Sequence, residues 1–166
     1  MFRILAVAMI ALLAPGCSPG SAGAAGEGNA AGAVDADGVR QVALTIAGPK
    51  GAHGFRVEVA ATAAQQERGL MFRTDIPKDG GMLFAPYPPD GGAPKIANFW
   101  MKNTPSSLDI LFIRPDHTIA RIAENTVPFS ETPIPSGEPV VAVLELNGGR
   151  AGELGIDEGD KVTWGR

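Results

Sequence analysis

Two carboxylates fall inside apolar runs of the chain, Asp109 in Leu108-Asp109-Ile110-Leu111-Phe112-Ile113 and Glu145 in the run Val140 to Leu146. A carboxylate withdrawn from water without a partner is costly, so each must find a cation or several hydrogen-bond donors. Arg68, Arg73 and Lys102 are the obvious cations. In the simpler arrangement they form ion pairs that fix register between strands. In the sharper one, two carboxyl groups beside a lysine have pKa values pushed apart, the acid/base pair that hydrolysis of a glycosidic bond uses.

Trp100, Lys102 and Asn103 offer a different chemistry. An aromatic plate edged by hydrogen-bond donors and acceptors suits a glycan or peptide. In an extended strand Trp100 and Lys102 share one face and Phe99, Met101 and Asn103 the other, so Trp100 also reads as core. Met71, Met82 and Met101 are thioethers that could hold Cu(I), but they form no Met-x-x-Met cluster and have no neighbouring histidine set. Flexible core filling explains them as well. His53 and His117 fall in expected loops and do not resemble a metal pair. Zinc-protease, P-loop and nucleophile-elbow patterns are absent from the sequence, and neither metal nor cofactor is expected.

The elements that must position these residues read as strands. Val42, Leu44 and Ile46 alternate with smaller or polar residues, as do Phe55, Val57 and Val59, with a turn or loop expected over Gly48 to Gly54. Thr62-Ala63-Ala64-Gln65 has the form of a capping box and predicts a short helix over 63–68, ended by Gly69. Further strands are expected at Met82 to Phe84, Asn98 to Met101, Leu108 to Ile113, Thr118 to Ala123, Val140 to Leu146 and Lys161 to Trp164. Pro- and Gly-rich loops are expected over Pro86 to Pro94 and Pro128 to Pro139, with room for one helical turn between 148 and 159. Many strands with little helix predict a mainly β fold, a single compact β-sandwich or a barrel with one or two short helices.

The first 38 residues carry a different message. Met1-Phe2-Arg3 begins a short positive start, Ile4 to Leu13 is an apolar run too short to span a membrane, and Ala14-Pro15-Gly16-Cys17 follows. That ending resembles the lipobox of bacterial lipoproteins, so residues 1–17 are expected to be a signal and Cys17, the chain's one cysteine, the site of lipidation; ordinary cleavage after Ala22-Gly23-Ala24, which would discard Cys17, is the alternative. Residues 18–38 are mostly Gly, Ala and Ser and predict a disordered tether, leaving 39–166 as a single β-rich domain without a thiol. The net charge of −4 is mixed rather than blocked, which argues against nucleic acid as a partner.

Arg68-Gly69-Leu70-Met71-Phe72-Arg73, Gly81-Met82-Leu83-Phe84, Phe99-Trp100-Met101-Lys102-Asn103-Thr104, Leu108 to Phe112, Leu144-Glu145-Leu146-Asn147 and Gly159-Asp160 stand in an order that resembles a prokaryotic family, domain of unknown function 192. The likeness runs from about Phe55 to Val162, and Gly149 and Gly152 depart from it. It implies a compact, mainly β, jelly-roll-like domain, often exported, and supplies no activity. The reading that follows is a noncatalytic module of the bacterial envelope, periplasm-facing and held to a membrane by a lipid on Cys17. Its expected ligand is a glycan or peptide, met by Trp100, Lys102, Asn103, Asp109, Glu145, Arg68 and Arg73. An envelope hydrolase using Asp109 and Glu145, and a scaffold for another protein, are the rival readings.

Overall fold

A computed structural model describes residues 39–165 of the chain. The expected signal, Cys17 and the Gly/Ala/Ser segment lie outside the described residues.

Strands β1 (Gln41–Gly48) and β2 (Gly51–Ala60) form an antiparallel hairpin. Val42, Leu44 and Ile46 of β1 and Phe55, Val57 and Val59 of β2 are all buried, as their alternation requires. Gly48 pairs with Gly51, so the turn or loop expected over Gly48 to Gly54 is a turn confined to Pro49-Lys50, and His53, expected in a loop, is a strand residue. Helix α1 (Ala63–Arg68) starts where the sequence places it: the Thr62 hydroxyl accepts from the Gln65 amide while Gln65 Oε1 accepts from the Thr62 amide.

The remaining elements are β3 (Gly81–Phe84), β4 (Lys95–Phe99), β5 (Leu108–Ile113), β6 (Ile119–Ala123), β7 (Ile134–Val140), β8 (Ala142–Asn147), α2 (Arg150–Leu154) and β9 (Lys161–Trp164). Seven strands form one sheet in the order β6-β5-β8-β3-β2-β1-β9, and β4 and β7 form a second. Within the large sheet only the β2–β3 pair is parallel, its crossover carrying α1. The sheet curls into a half-barrel, and a bridge between Thr118 and Lys161 brings its two edge regions together. The fold is thus mainly β with two short helices among the described residues.

Two expectations are corrected here. The expected Pro-rich loop over Pro128 to Pro139 contains strand β7; its prolines 135 and 139 are tolerated because a two-stranded sheet consists of edges. The expected strand at Asn98 to Met101 ends at Phe99, so strand alternation does not govern Trp100 to Asn103.

Both faces of the central strands are buried. Inside the curl, Leu144 and Leu146 of β8 join Leu111 and Ile113 of β5 and the β1–β2 side chains. On the opposite face Val143 of β8 joins Ile110 and Phe112 of β5, Phe84 of β3, and Ala97 and Val140 from the small sheet. Asp109 opposes Leu146 and Glu145 opposes Ile110 in the β5–β8 register. Directly opposed residues share a face, so the two carboxylates point to opposite sides of the sheet.

Asp109 finds donors rather than cations. Its Oδ1 accepts the amides of Asn125 and Gly149 and its Oδ2 the amide of Ala151, each at 2.8 Å. Helix α2 begins at Gly149, which has no side chain to cap it; Asp109, reaching from β5, does so instead. No ion pair to Arg68, Arg73 or Lys102 forms. Arg73 instead pairs with Glu58 at 2.8 Å and Asp75 at 3.6 Å. Asp109→Ala would leave three amides without their acceptor and should lower stability by about 3 kcal/mol or more. Urea unfolding measures it; a loss below about 1 kcal/mol would mean that this network does not hold β5 to α2.

Candidate functional site

Glu145 lies on the face of β8 that the small sheet covers, and there it borders a cavity of about 260 Å³. One wall is the last turn of α1 and the residues after it, Gln66 to Met71. Gln66 fixes that wall by donating to the carbonyls of Ala60 and Pro86, 3.0 and 2.8 Å away. Gly69, at φ 49°, lets the chain leave the helix against Phe84, whose ring would lie 3.2 Å from any added Cβ. Phe84, Tyr87 and Phe99 form an aromatic wall, and Trp100 and Lys102 stand with Arg68 at the mouth.

The cavity floor is electrostatically unusual. Glu145 is 5% exposed, its cross-strand neighbours are Met82 and Ile110, and its Oε2 has no hydrogen-bond partner. Burial pushes its pKa up to about 8, so near neutral pH it is mostly an uncharged acid. Gln66 Oε1 is also buried and unpartnered. Among the described residues three buried side-chain polar atoms lack a partner, and two of them belong to residues lining this cavity. Burial also raises the Tyr87 phenol, with the Asn98 backbone acting the other way.

The family model that matches this chain, over residues 44–164, is that of DUF192, described as an uncharacterized ACR. The chain belongs to the DUF192 family. A crystal structure of a protein of unknown function from Novosphingobium aromaticivorans is 47% identical, with a TM-score of 0.75, covering 81% of this chain and 93% of that one. A second, of a putative transcription regulator from Sinorhizobium meliloti, is 41% identical with a TM-score of 0.70, covering 76% and 95%. No curated protein matches.

Of the residues singled out in this DUF192 sequence, the fold gathers Glu145, Arg68, Trp100 and Lys102 around one cavity. Trp100 is 47% exposed and not core, and Lys102 Nζ sits 5.1 Å from its ring centroid. Asn103 stands on the outer rim, its amide donating to Met71 Sδ at 3.9 Å. Asp109 is on the far face of the sheet and Arg73 is engaged by Glu58, so neither joins the cavity. Met101 is core and accepts from the Thr126 hydroxyl, Met82 is buried elsewhere on the same face, and only Met71 borders the cavity. His117 stacks on Trp164, centroids 4.4 Å apart. Sequence reasoning missed the aromatic wall. Tyr87, the chain's one tyrosine, within a Pro-rich loop was its available signal.

The raised acid of this DUF192 domain fixes a stability profile. Glu145 binds its proton more tightly folded than unfolded, where a glutamate titrates near 4.5. Its stabilising contribution is therefore complete below about pH 4.5 and lost as pH rises to about 8. The span is worth on the order of 4–5 kcal/mol. Glu145→Gln cannot ionise, so its stability relative to the parent should climb steadily from pH 5 to pH 8 and then level off. Parallel unfolding midpoints for the two proteins across that range would contradict a buried, raised Glu145.

Proposed function

We propose that this DUF192 protein is a noncatalytic binding module of the bacterial envelope, exported, tethered by a lipid on Cys17, and receiving a small ligand or one group of a glycan or peptide over Glu145. The unpartnered Glu145 oxygen carries the reading. Leaving a buried polar atom unpaired costs about 1–3 kcal/mol, and the cost falls when an incoming group supplies the missing hydrogen bond. The cavity is near the lower size limit of ligand sites and has the usual mix of apolar walls and a few convergent polar groups.

The paired-carboxylate hydrolase has no geometric basis, since Asp109 and Glu145 face opposite sides of the sheet. A transcriptional role, as in the description of the Sinorhizobium relative, finds no support in a net charge of −4. One observation favours a second reading, a docking face for another protein. Phe72 and Phe129 are 67% and 63% exposed, and their amides bond to the carbonyls of Asn103 and Thr104 beside the mouth.

A small-molecule screen followed by amide and indole NMR shifts tests the cavity. Hits should move Leu70, Phe99 and the Trp100 indole, and Trp100→Ala should weaken them about tenfold, the loss of one aromatic contact. Hits that leave those signals unmoved would sink the proposal, whereas weakening by Phe72→Ser and Phe129→Ser but not by Trp100→Ala would favour the docking face. Separately, metabolic labelling with a fatty-acid analogue should tag the full-length chain in a bacterial host and fail to tag Cys17→Ser. Equal labelling of both would remove the tether.

A further inference from the structure

Of the four edge strands among the described residues, three are blunted and β4 is not. At the ends of the large sheet, Ile119 of β6 exchanges backbone bonds with Gly159 and Asp160, Glu158 accepts from the Ile122 amide, and Val162 of β9 donates to the His117 carbonyl. In the small sheet β7 carries Pro135 and Pro139, and the Pro135 carbonyl accepts from Arg121. Strand β4 carries no proline, and its one charge, Lys95, stands at its first position. An edge left in that state is a template for pairing with another chain.

The backbone groups on that edge can be named. The Ala97 amide donates to Ser136 Oγ of β7 at 3.0 Å, so it faces β7. Bonding groups alternate along a strand, which turns the N–H and C=O of Ile96 and Asn98 to the open side. The prolines agree, because Pro139 and Pro135 stand opposite Ile96 and Asn98 and have no N–H to give. The register slips on β7, which takes four steps from Pro135 to Pro139 while β4 takes two, so β4 itself stays regular. Apart from the Tyr87 phenol beside Asn98, nothing among the described residues bonds these groups, and Ile96 is 52% exposed. The cavity lies along the same edge, lined there by Asn98, Phe99 and Trp100. Ala97 and Phe99 turn toward the large sheet, Ala97 buried and Phe99 packed edge to face on Phe84 and Phe112. Opposed residues share a face, so the side chain that an added strand sets opposite Phe99 points over the cavity.

Charge selects the occupant. Lys50, Arg73, Lys78, Arg114 and Arg150 each meet a carboxylate, but Lys95, Lys102 and Arg68 have no ion pair among the described residues. Lys95 opens β4, Lys102 follows three residues after its end, and Arg68 borders the cavity from α1, where Glu67 is the opposing acid. Cations at an exposed rim are screened by salt and set preference between partners more than affinity. We propose that an extended acidic peptide segment of a partner adds to the open edge of β4, with one apolar side chain entering the cavity beside Phe99, an inference that rests on the binding role proposed above.

The test titrates a capped pentapeptide, Glu-Thr-X-Thr-Glu with Leu, Phe or Ala at X, and follows NMR shifts and hydrogen exchange. The Leu or Phe peptide should move the Ile96, Asn98 and Trp100 signals, slow exchange of the Ile96 amide about tenfold or more, and bind about tenfold tighter than the Ala peptide. Backbone N-methylation reads the pairing directly, because bonding groups alternate along an added strand: methylation at one parity should cost about tenfold or more, and at the other less than about threefold. Loss at the threonines marks an antiparallel peptide, and loss at X a parallel one. Replacing both glutamates by lysines should weaken binding about tenfold, and Lys95→Glu with Lys102→Glu should reverse that preference. Equal binding of the acidic and basic peptides would overturn the acidic assignment. Equal effects of N-methylation at all three positions, with cavity signals still moved, would leave a cavity ligand and overturn edge pairing. Ile96 shifts that follow protein concentration alone would assign the edge to a second copy and overturn the peptide. If no peptide moves Ile96, edge pairing is overturned, while the small-molecule screen decides separately whether the cavity binds anything.

Discussion

Strand β8 runs between β3 and β5 with both of its faces covered, so every polar group carried there must be resolved inside the protein. That double cover organises the rest of the domain. The curl of the large sheet closes over Leu144 and Leu146, and the small sheet closes over Val143 and Glu145. Close pairing of β3 with β8 requires Gly81, at φ 150°, where a Cβ would come 2.1 Å from the Glu145 carbonyl oxygen. The contact that builds the sheet's centre is thus the one that delivers the Glu145 side chain to its cavity.

Asp109 and Glu145 show two solutions to one problem. Both are nearly inaccessible to solvent and both extend from central strands among aliphatic neighbours. Asp109 is surrounded by three amide donors, and the closed network that results ties β5 to the start of α2. Each amide there meets an oxygen that would otherwise be buried unpaired. Glu145 has no such donors, so its proton stays on and its oxygen remains unpaired. Satisfied polar groups lock a fold; an unsatisfied one beside a cavity is a standing preference for something to enter.

Much of this architecture was legible in the chain. Alternation located β1 and β2, and the Thr62–Gln65 box located α1, because those signals are local. Strand β7 was hidden by Pro135, Gly137 and Pro139, residues that a central strand excludes but an edge accepts. The cost of burying Asp109 and Glu145 was readable too, but its resolution was not. The partners of Asp109 are backbone amides, which every residue has and no residue type announces. Which face each carboxylate takes depends on register, and a shift of one residue would have put them side by side. The aromatic wall brings together Phe84, Tyr87 and Phe99 from separate elements, so no spacing in the sequence revealed it.

The backbone beside the cavity mouth supports a functional reading on independent grounds. Phe72, Asn103 and Phe129 hold φ values of 65°, 54° and 60°, a region that asparagine tolerates and that is unfavourable for phenylalanine. Each such residue costs about 1–3 kcal/mol and persists only where its surroundings over-determine it. Here the three are linked: the Phe72 amide bonds to the Asn103 carbonyl, and the Phe129 amide bonds to the carbonyl of Thr104, the next residue. The segment carrying Trp100 and Lys102 is held by these strained turns, and the two phenylalanines recover little through burial because their side chains remain largely in solvent. Stability alone would favour glycine or asparagine at both positions and polar side chains on their surface. Two strained, exposed phenylalanines and an unpaired buried acid therefore flank one cavity, while on the other face of the sheet the satisfied Asp109 network closes the fold.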